Sequence, residues 1–373
     1  MKTYSNERLP SVTKKTRLVF LDNIKVALIL LVVAHHAGQA YGATDYWPIR
    51  SSSQSSILGP FFDVNGAYFM GLFFFISAYF FPISVDRKGI PYFLKGRFLR
   101  LGIPFAFMTI MVFGPITYFV DSPNMSFWQY IFGVYIGQGD FEVAHLWFLA
   151  LLLSFAVCYA ILRLAIPQTK NNTESVTKSL GHRALLIFAL LLAVVNYIIR
   201  IWFPVGQWVD ILPFMPVEIG RLPQYLSFFI MGVFAYRRNW LHSLPTRIGI
   251  VWLIIGIAAA VLHYLNTLTG MLPASFNIWP ILEAFIGVGF ITGLLVICRD
   301  FWNRRGKLLT FMADNAYTVY LIHIIIVYLL QGIMGEIYMA PFIKFIIVSI
   351  VGMILSFVIS HFIRKIPFVK MIL

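Results

Sequence analysis

The stretch RLVFLDNIKVALILLVVAHHAGQAYG, beginning at Arg17, sets four ionisable side chains, Asp22, Lys25, His35 and His36, in one apolar run. Imidazole is the side chain best suited to moving protons near neutral pH. His36 is therefore a candidate general base, able to take the proton of a hydroxyl that attacks an acyl carbonyl. Two other readings fit the same residue: a histidine hydrogen-bonded across a helix bundle, and a step in a transport or proton path. His35 reads as a neighbour of the reacting group. On a helix Lys25 and His36, eleven residues apart, share a face and lie about 16 Å apart along the axis. They cannot touch, but they can hold two ends of an extended ligand or line one channel. Asp22 and Lys25 have the i,i+3 spacing of a local ion pair.

Other polar positions recur at the ends of apolar runs or inside them. Ser77 sits in GLFFFISAYFFP, where a bond back to its own helix competes with a role beside His36. Arg97 and Arg100 are a turn apart in PYFLKGRFLRLGIP, spaced either to anchor a helix at a membrane surface or to hold phosphate groups. Glu142 and His145, three residues apart, are spaced to pair, and Trp147 beside them suits a membrane interface. Arg200 and Arg221 suit an acidic substrate or lipid headgroups. Glu283 lies inside an apolar run and needs a cationic partner, either Lys25 or an arginine. In FMADNAYTVYLIH, Asp314 and Asn315 suit the start or a bend of a helix that carries Tyr317 and, deeper, His323. No Walker loop, HExxH zinc motif or Gly-x-Ser-x-Gly elbow occurs, and no metal site is expected. Cys158 and Cys298 lie in apolar runs and imply no disulfide framework.

The elements that carry these residues follow from composition. Of 373 residues, 60% are hydrophobic and 12% charged, too few charges to clothe a water-facing surface. Apolar runs near 18–41, 57–82, 98–120, 143–166, 184–203, 220–236, 248–266, 277–298, 311–333 and 341–363 approach the ~20 residues of a membrane-crossing helix. The expectation is an all-α, polytopic membrane bundle of about ten helices. Of the 29 lysines and arginines, 24 then fall on one side, four on the other, and Lys25 within the first run. The positive-inside rule puts both termini in the cytoplasm. The net charge of +14 is thus read as attraction to the anionic leaflet, and no nucleic-acid partner is expected. The expected organisation is a cytoplasmic tail at 1–17, a membrane domain at 18–363 and a cytoplasmic tail at 364–373. The run at 18–41 exceeds a signal-peptide core and reads as a retained span. Segment 167–182 reads as a flexible loop, 121–142 as holding a short interfacial or re-entrant helix, and 204–219, with its Trp and prolines, as membrane-surface or pocket-lining chain.

Several motifs in chain order resemble the acyltransferase 3 family of membrane acyltransferases: LDNIK followed by His36, FFFISA at Phe73–Ala78, Arg97-x-x-Arg100, HLWFL at His145–Leu149 and AYTVYLIH at Ala316–His323. The Asp-Asn opening is similar to the branch of glucan-modifying, succinyltransferase-like proteins. Lys25 stands where the family usually has arginine, and Ala78 where it has glycine. The resemblance implies transfer of an acetyl, succinyl or similar short acyl group from cytoplasmic acyl-coenzyme A to a hydroxyl of a cell-surface or exported glycan. Acyl-coenzyme A would be a co-substrate, with no permanently bound cofactor. His36 would be the base. Arg97, Arg100 and Lys25 would meet the donor, and Asp22, His35, Ser77, His145, Glu283, Tyr317 and His323 would support the site. The alternative is a polysaccharide or small-molecule exporter on the same fold. Either protein would reside in the cell membrane, as in a bacterial inner membrane.

Overall fold

The structure is a computed structural model that describes residues 18–42, 47–121, 123–166, 180–273, 277–367 and 369. The tail at 1–17, most of the loop at 167–182 and the end of the C-terminal tail lie outside the described residues.

Every apolar run forms a helix, as a chain without water to satisfy its backbone must. In order these are α1 Val19–Gln39, α2 Leu58–Lys88, α3 Ile90–Asp121, α4 Ala144–Ala165, α5 His182–Trp202, α6 Leu222–Arg237, α7 Thr246–Thr269, α8 Trp279–Phe301, α9 Lys307–Gly335 and α10 Pro341–Ile363. Among the described residues nine are long and apolar enough to cross a membrane, while α6 has only 16 residues. The outward surface is apolar, with Leu191, Ile254, Leu329 and Ile354 each more than half exposed. The chain is a multi-pass membrane protein. Its most enclosed helices are α2 and α8, with α9 next.

The fold is not purely helical, which corrects the all-α expectation. β1 (Trp208–Leu212) and β2 (Met215–Glu218) form an antiparallel hairpin with Trp208 opposite Glu218. The β-branched and aromatic residues of WVDIL favour a strand, and the hairpin lets this chain satisfy its own backbone between α5 and α6.

Two local features position the site. In α3, π-helical turns at Phe98–Gly102 and Met108–Phe113 interrupt the α-helix. Pro104 has no N–H to offer the carbonyl of Arg100 four residues earlier, and the Tyr317 hydroxyl of α9 donates to that oxygen. Between α2 and α6 the backbones nearly touch. A Cβ on Gly232 would fall 2.2 Å from the Phe75 carbonyl oxygen and 2.9 Å from the Cβ of Ala78. Ala78, fully buried, fits because the residue facing it is glycine.

The end of the bundle that carries the last turns of α2, α4 and α6 is rich in arginine. There Asp86 accepts from Arg163 at 3.0 Å and from Arg237 at 2.7 Å. At the same end Asn23 of α1 donates to the carbonyls of Trp302 and Arg304. Asp314 and Asn315 do not start α9, which begins at Lys307. Asn315 is buried inside the helix and accepts from Ser360 of α10 at 3.0 Å.

Candidate functional site

Three histidines from three helices meet in the interior. His36 Nδ1 of α1 lies 2.8 Å from His323 Nε2 of α9. His323 Nδ1 in turn faces the carbonyls of Tyr320 at 2.8 Å and Val319 at 3.2 Å. A carbonyl only accepts, so His323 Nδ1 carries the proton and its neutral Nε2 is an acceptor. His36 Nδ1 must then be the donor, which leaves His36 Nε2 unprotonated. His145 Nε2 donates to the Tyr320 carbonyl at 2.8 Å, and the Tyr320 hydroxyl donates back to the His145 carbonyl at 2.6 Å. The His145 and His323 rings meet edge to face at 4.8 Å.

Backbone strain delivers His145. Ala144 has φ 44°, a left-handed conformation that its Cβ disfavours. Its N–H is held by Glu142 Oε1 at 2.7 Å. The expected Glu142–His145 pair is absent, because each side chain bonds to backbone instead. Burial pushes the Glu142 carboxyl above its usual range, partly offset by the Ala144 hydrogen bond.

His35, His36 and His145 line a cavity of about 390 Å³. Its walls are aromatic at Trp47, Trp147, Trp208 and Tyr225, with Asp63, Glu218 and Arg221 as charged groups. Trp147 is thus a cavity wall, stacked on Tyr225 at 5.4 Å. His35 meets Gln39 at 3.0 Å and packs against Phe62 and Phe69, each at 5.1 Å. Asp63 bonds to His263 of α7 at 2.9 Å.

A buried charge cluster backs one wall. Glu283 accepts from Arg221 Nη1 at 2.7 Å and contacts Arg200 Nη2 at 2.5 Å, while Arg221 Nε also donates to Glu218 at 3.1 Å. The two arginines partner Glu283, and Lys25 pairs instead with Asp22 at 3.1 Å. Gly66 makes room for this arrangement, since a Cβ there would lie 2.9 Å from Arg221 Nη1.

The remaining sequence candidates lie elsewhere. Ser77 does not line the cavity, and its hydroxyl forms no hydrogen bond among the described residues. It lies seven residues beyond Met70, the cavity residue nearest to it on α2. Arg97 rests over the rings of Phe81 at 4.6 Å and Phe93 at 5.3 Å, and Arg100 is exposed at the arginine-rich end.

The sequence reading missed Trp47, Asp63 and Gln331. Gln331 is 1% exposed, receives Trp47 Nε1 at 2.8 Å and donates to the carbonyls of His36 at 3.0 Å and Ala37 at 3.1 Å. A lone amide inside the apolar run at 311–333 was the available signal, because a buried amide needs partners.

The sequence profile of a family described as an acyltransferase domain matches residues 18–361. Proteins called glucans biosynthesis protein C from Escherichia coli strains K12 and SMS-3-5 are each 24% identical to the chain over 320 residues, covering 82% of this chain and 81% of theirs. No solved structure matches the chain.

Proposed function

The chain belongs to this acyltransferase-domain family, and from that premise we propose that it is a membrane O-acyltransferase with His36 as general base. The observation that carries the reading is the hydrogen-bond chain from the Tyr320 and Val319 carbonyls through His323 to His36. It leaves Nε2 of a cavity-lining imidazole as the proton acceptor.

An acceptor hydroxyl in the cavity gives its proton to His36 Nε2 as its oxygen attacks the thioester carbonyl carbon. The C–O bond forms, the C–S bond breaks, and the proton leaves with the coenzyme A thiolate as a thiol. His323 takes the Nδ1–H bond throughout and holds the ring in register. Base catalysis of this kind contributes about 10²–10⁴-fold.

The donor is acetyl-, succinyl- or a similar acyl-coenzyme A, met at the arginine-rich end by Arg97 and Arg100, with Lys25 deeper. Arg100 supports this because its guanidinium has no hydrogen-bond or ion-pair partner among the described residues. The charge asymmetry of the sequence supports a cytoplasmic arginine-rich end, with α6 as a tenth, short span and both termini inside. The cavity then serves the exported acceptor. The acceptor proposed is a glycan hydroxyl, as the names of the relatives suggest. Aromatic walls with a few polar groups suit such a molecule.

The test is purified protein in liposomes with radiolabelled acetyl- or succinyl-coenzyme A and candidate glucans. Label transfer with release of free thiol is expected, and His36→Ala should abolish it with unchanged thermal unfolding. Glycan translocation without thioester consumption would identify an exporter instead. Full turnover by His36→Ala would remove His36 from the base role.

A further inference from the structure

We propose that Trp47 is a positioning residue that stabilises His36 in its protonated form through the face of its indole ring. The inference rests on His36 acting as the base.

The geometry is specific. The Trp47 and His36 rings are stacked, with centroids 5.6 Å apart and an interplanar angle of 12°. His323 does not share a face of the imidazole: with Nε2 2.8 Å from His36 Nδ1 and ring centroids 5.0 Å apart, it lies end-on, close to the plane of the His36 ring. The faces of His36 are therefore left to other rings, and Trp47 is parallel to one of them. A cation within about 6 Å of an indole face is attracted by the negative π surface, and indole is the strongest of the three aromatic faces. Neutral imidazole gains little from that field, whereas imidazolium gains the full interaction. The contact therefore strengthens as the proton is transferred, which is the condition for lowering the barrier rather than tightening ground-state binding.

The contact is also built. Trp47 lies outside the helices, so packing within a helix does not fix it. Its indole N–H is fixed by Gln331 Oε1 at 2.8 Å. The same amide uses its N–H groups on the carbonyls of His36 and Ala37, in the last turn of α1. One fully engaged side chain thus ties the indole to the backbone of the residue on which it stacks. His323 and Gln331, eight residues apart on α9, hold His36 by ring and by backbone. The polar groups bonded to the His36 ring and to Trp47, His323 and Gln331, are neutral and add no negative charge of their own there.

The experiment is a graded series. Fluorinated tryptophans keep ring shape and N–H but drain the π face, and all nine tryptophans of the chain are replaced together. Purified protein with zero to three fluorines per indole is assayed with acyl-coenzyme A and acceptor, and the same series is repeated in Trp47→Phe. A stepwise fall in kcat with each fluorine, unchanged KM for both substrates, and no such trend in Trp47→Phe are expected. Trp47→Leu should lower kcat about ten- to thirtyfold, with Trp47→Phe between it and wild type. A flat series, or an equal fall in both backgrounds, overturns the inference. If fluorination acted by strengthening the indole N–H bond to Gln331, kcat would rise, and that too overturns it. His36→Ala, assayed beside these variants, separates the outcomes: turnover by that variant removes the base reading itself, whereas its inactivity with a flat series removes only the role of Trp47.

Discussion

A single proton on His323 Nδ1, fixed by two carbonyls of its own helix, decides the state of both ring nitrogens of His36. His323→Ala should lower kcat about ten- to a hundredfold, the worth of one hydrogen bond to a charged group. His323→Gln can still accept from Nδ1 and should recover part of that loss. Steady-state kinetics with both substrates check this, and equal turnover by wild type and His323→Ala would reject the relay. At this scale the sequence was only partly legible. His36 and His323 stood out as ionisable groups in apolar runs. Their connection did not, because His36 and His323 are 287 residues apart and nothing local records which nitrogen faces which. Trp47 was hidden for a different reason: a tryptophan near the end of an apolar run also satisfies a membrane interface.

The helices themselves were legible because lipid leaves the backbone one solution, so that run length and helix length nearly coincide. Where they diverge, polar residues are responsible. α9 starts at Lys307 rather than near 311, and α3 starts at Ile90 rather than near 98, since charged and polar residues extend a helix without extending its apolar run. The Trp and prolines of 204–219 suit pocket-lining chain, and Trp208 and Glu218 do line the cavity, but the hairpin itself is not legible because its strands are too short to alternate convincingly. Ion pairing across elements was legible only in part: the sequence demanded a cation for Glu283 but did not say which. Glu283 on α8 is fully buried between Arg200 of α5 and Arg221 at the start of α6. Glu283→Ala leaves two buried cations without that carboxylate and should cost about 3–5 kcal/mol. Thermal unfolding in detergent measures it, and an unchanged midpoint would show that the cluster is not structural. Gly232→Ala should cost about 1–3 kcal/mol by forcing α6 away from the Phe75 carbonyl, again read by unfolding.

Across the whole molecule, the histidine cavity and the arginine-rich end are separated. The histidines and the aromatic cavity lie apart from the end where Arg97, Arg100, Arg163 and Arg237 gather. Arg100→Ala should raise the KM for acyl-coenzyme A several-fold, by about one charge-assisted contact, with little change in acceptor KM. A change in acceptor KM alone would assign Arg100 to the other substrate. The distribution of basic residues was readable from the sequence. That α9 touches both regions, through Tyr317 on the Arg100 carbonyl and Gln331 at the last turn of α1, was not.

Among the described residues, the hydrogen bonds around His36 involve rings and carbonyls but no carboxylate on either imidazole. Each turnover under the proposed mechanism therefore sets the imidazolium against the oxyanion left on the attacked carbonyl, so that a short dipole and no net charge forms inside the bilayer. A full charge crossing the whole membrane is worth about 2.3 kcal/mol per 100 mV, and a separation of about 3 Å spans roughly a tenth of the ~30 Å hydrocarbon core. In liposomes carrying an imposed potential, kcat should change by less than about twofold per 100 mV in either polarity. A steep voltage dependence would mean that the proton leaves this pair during turnover.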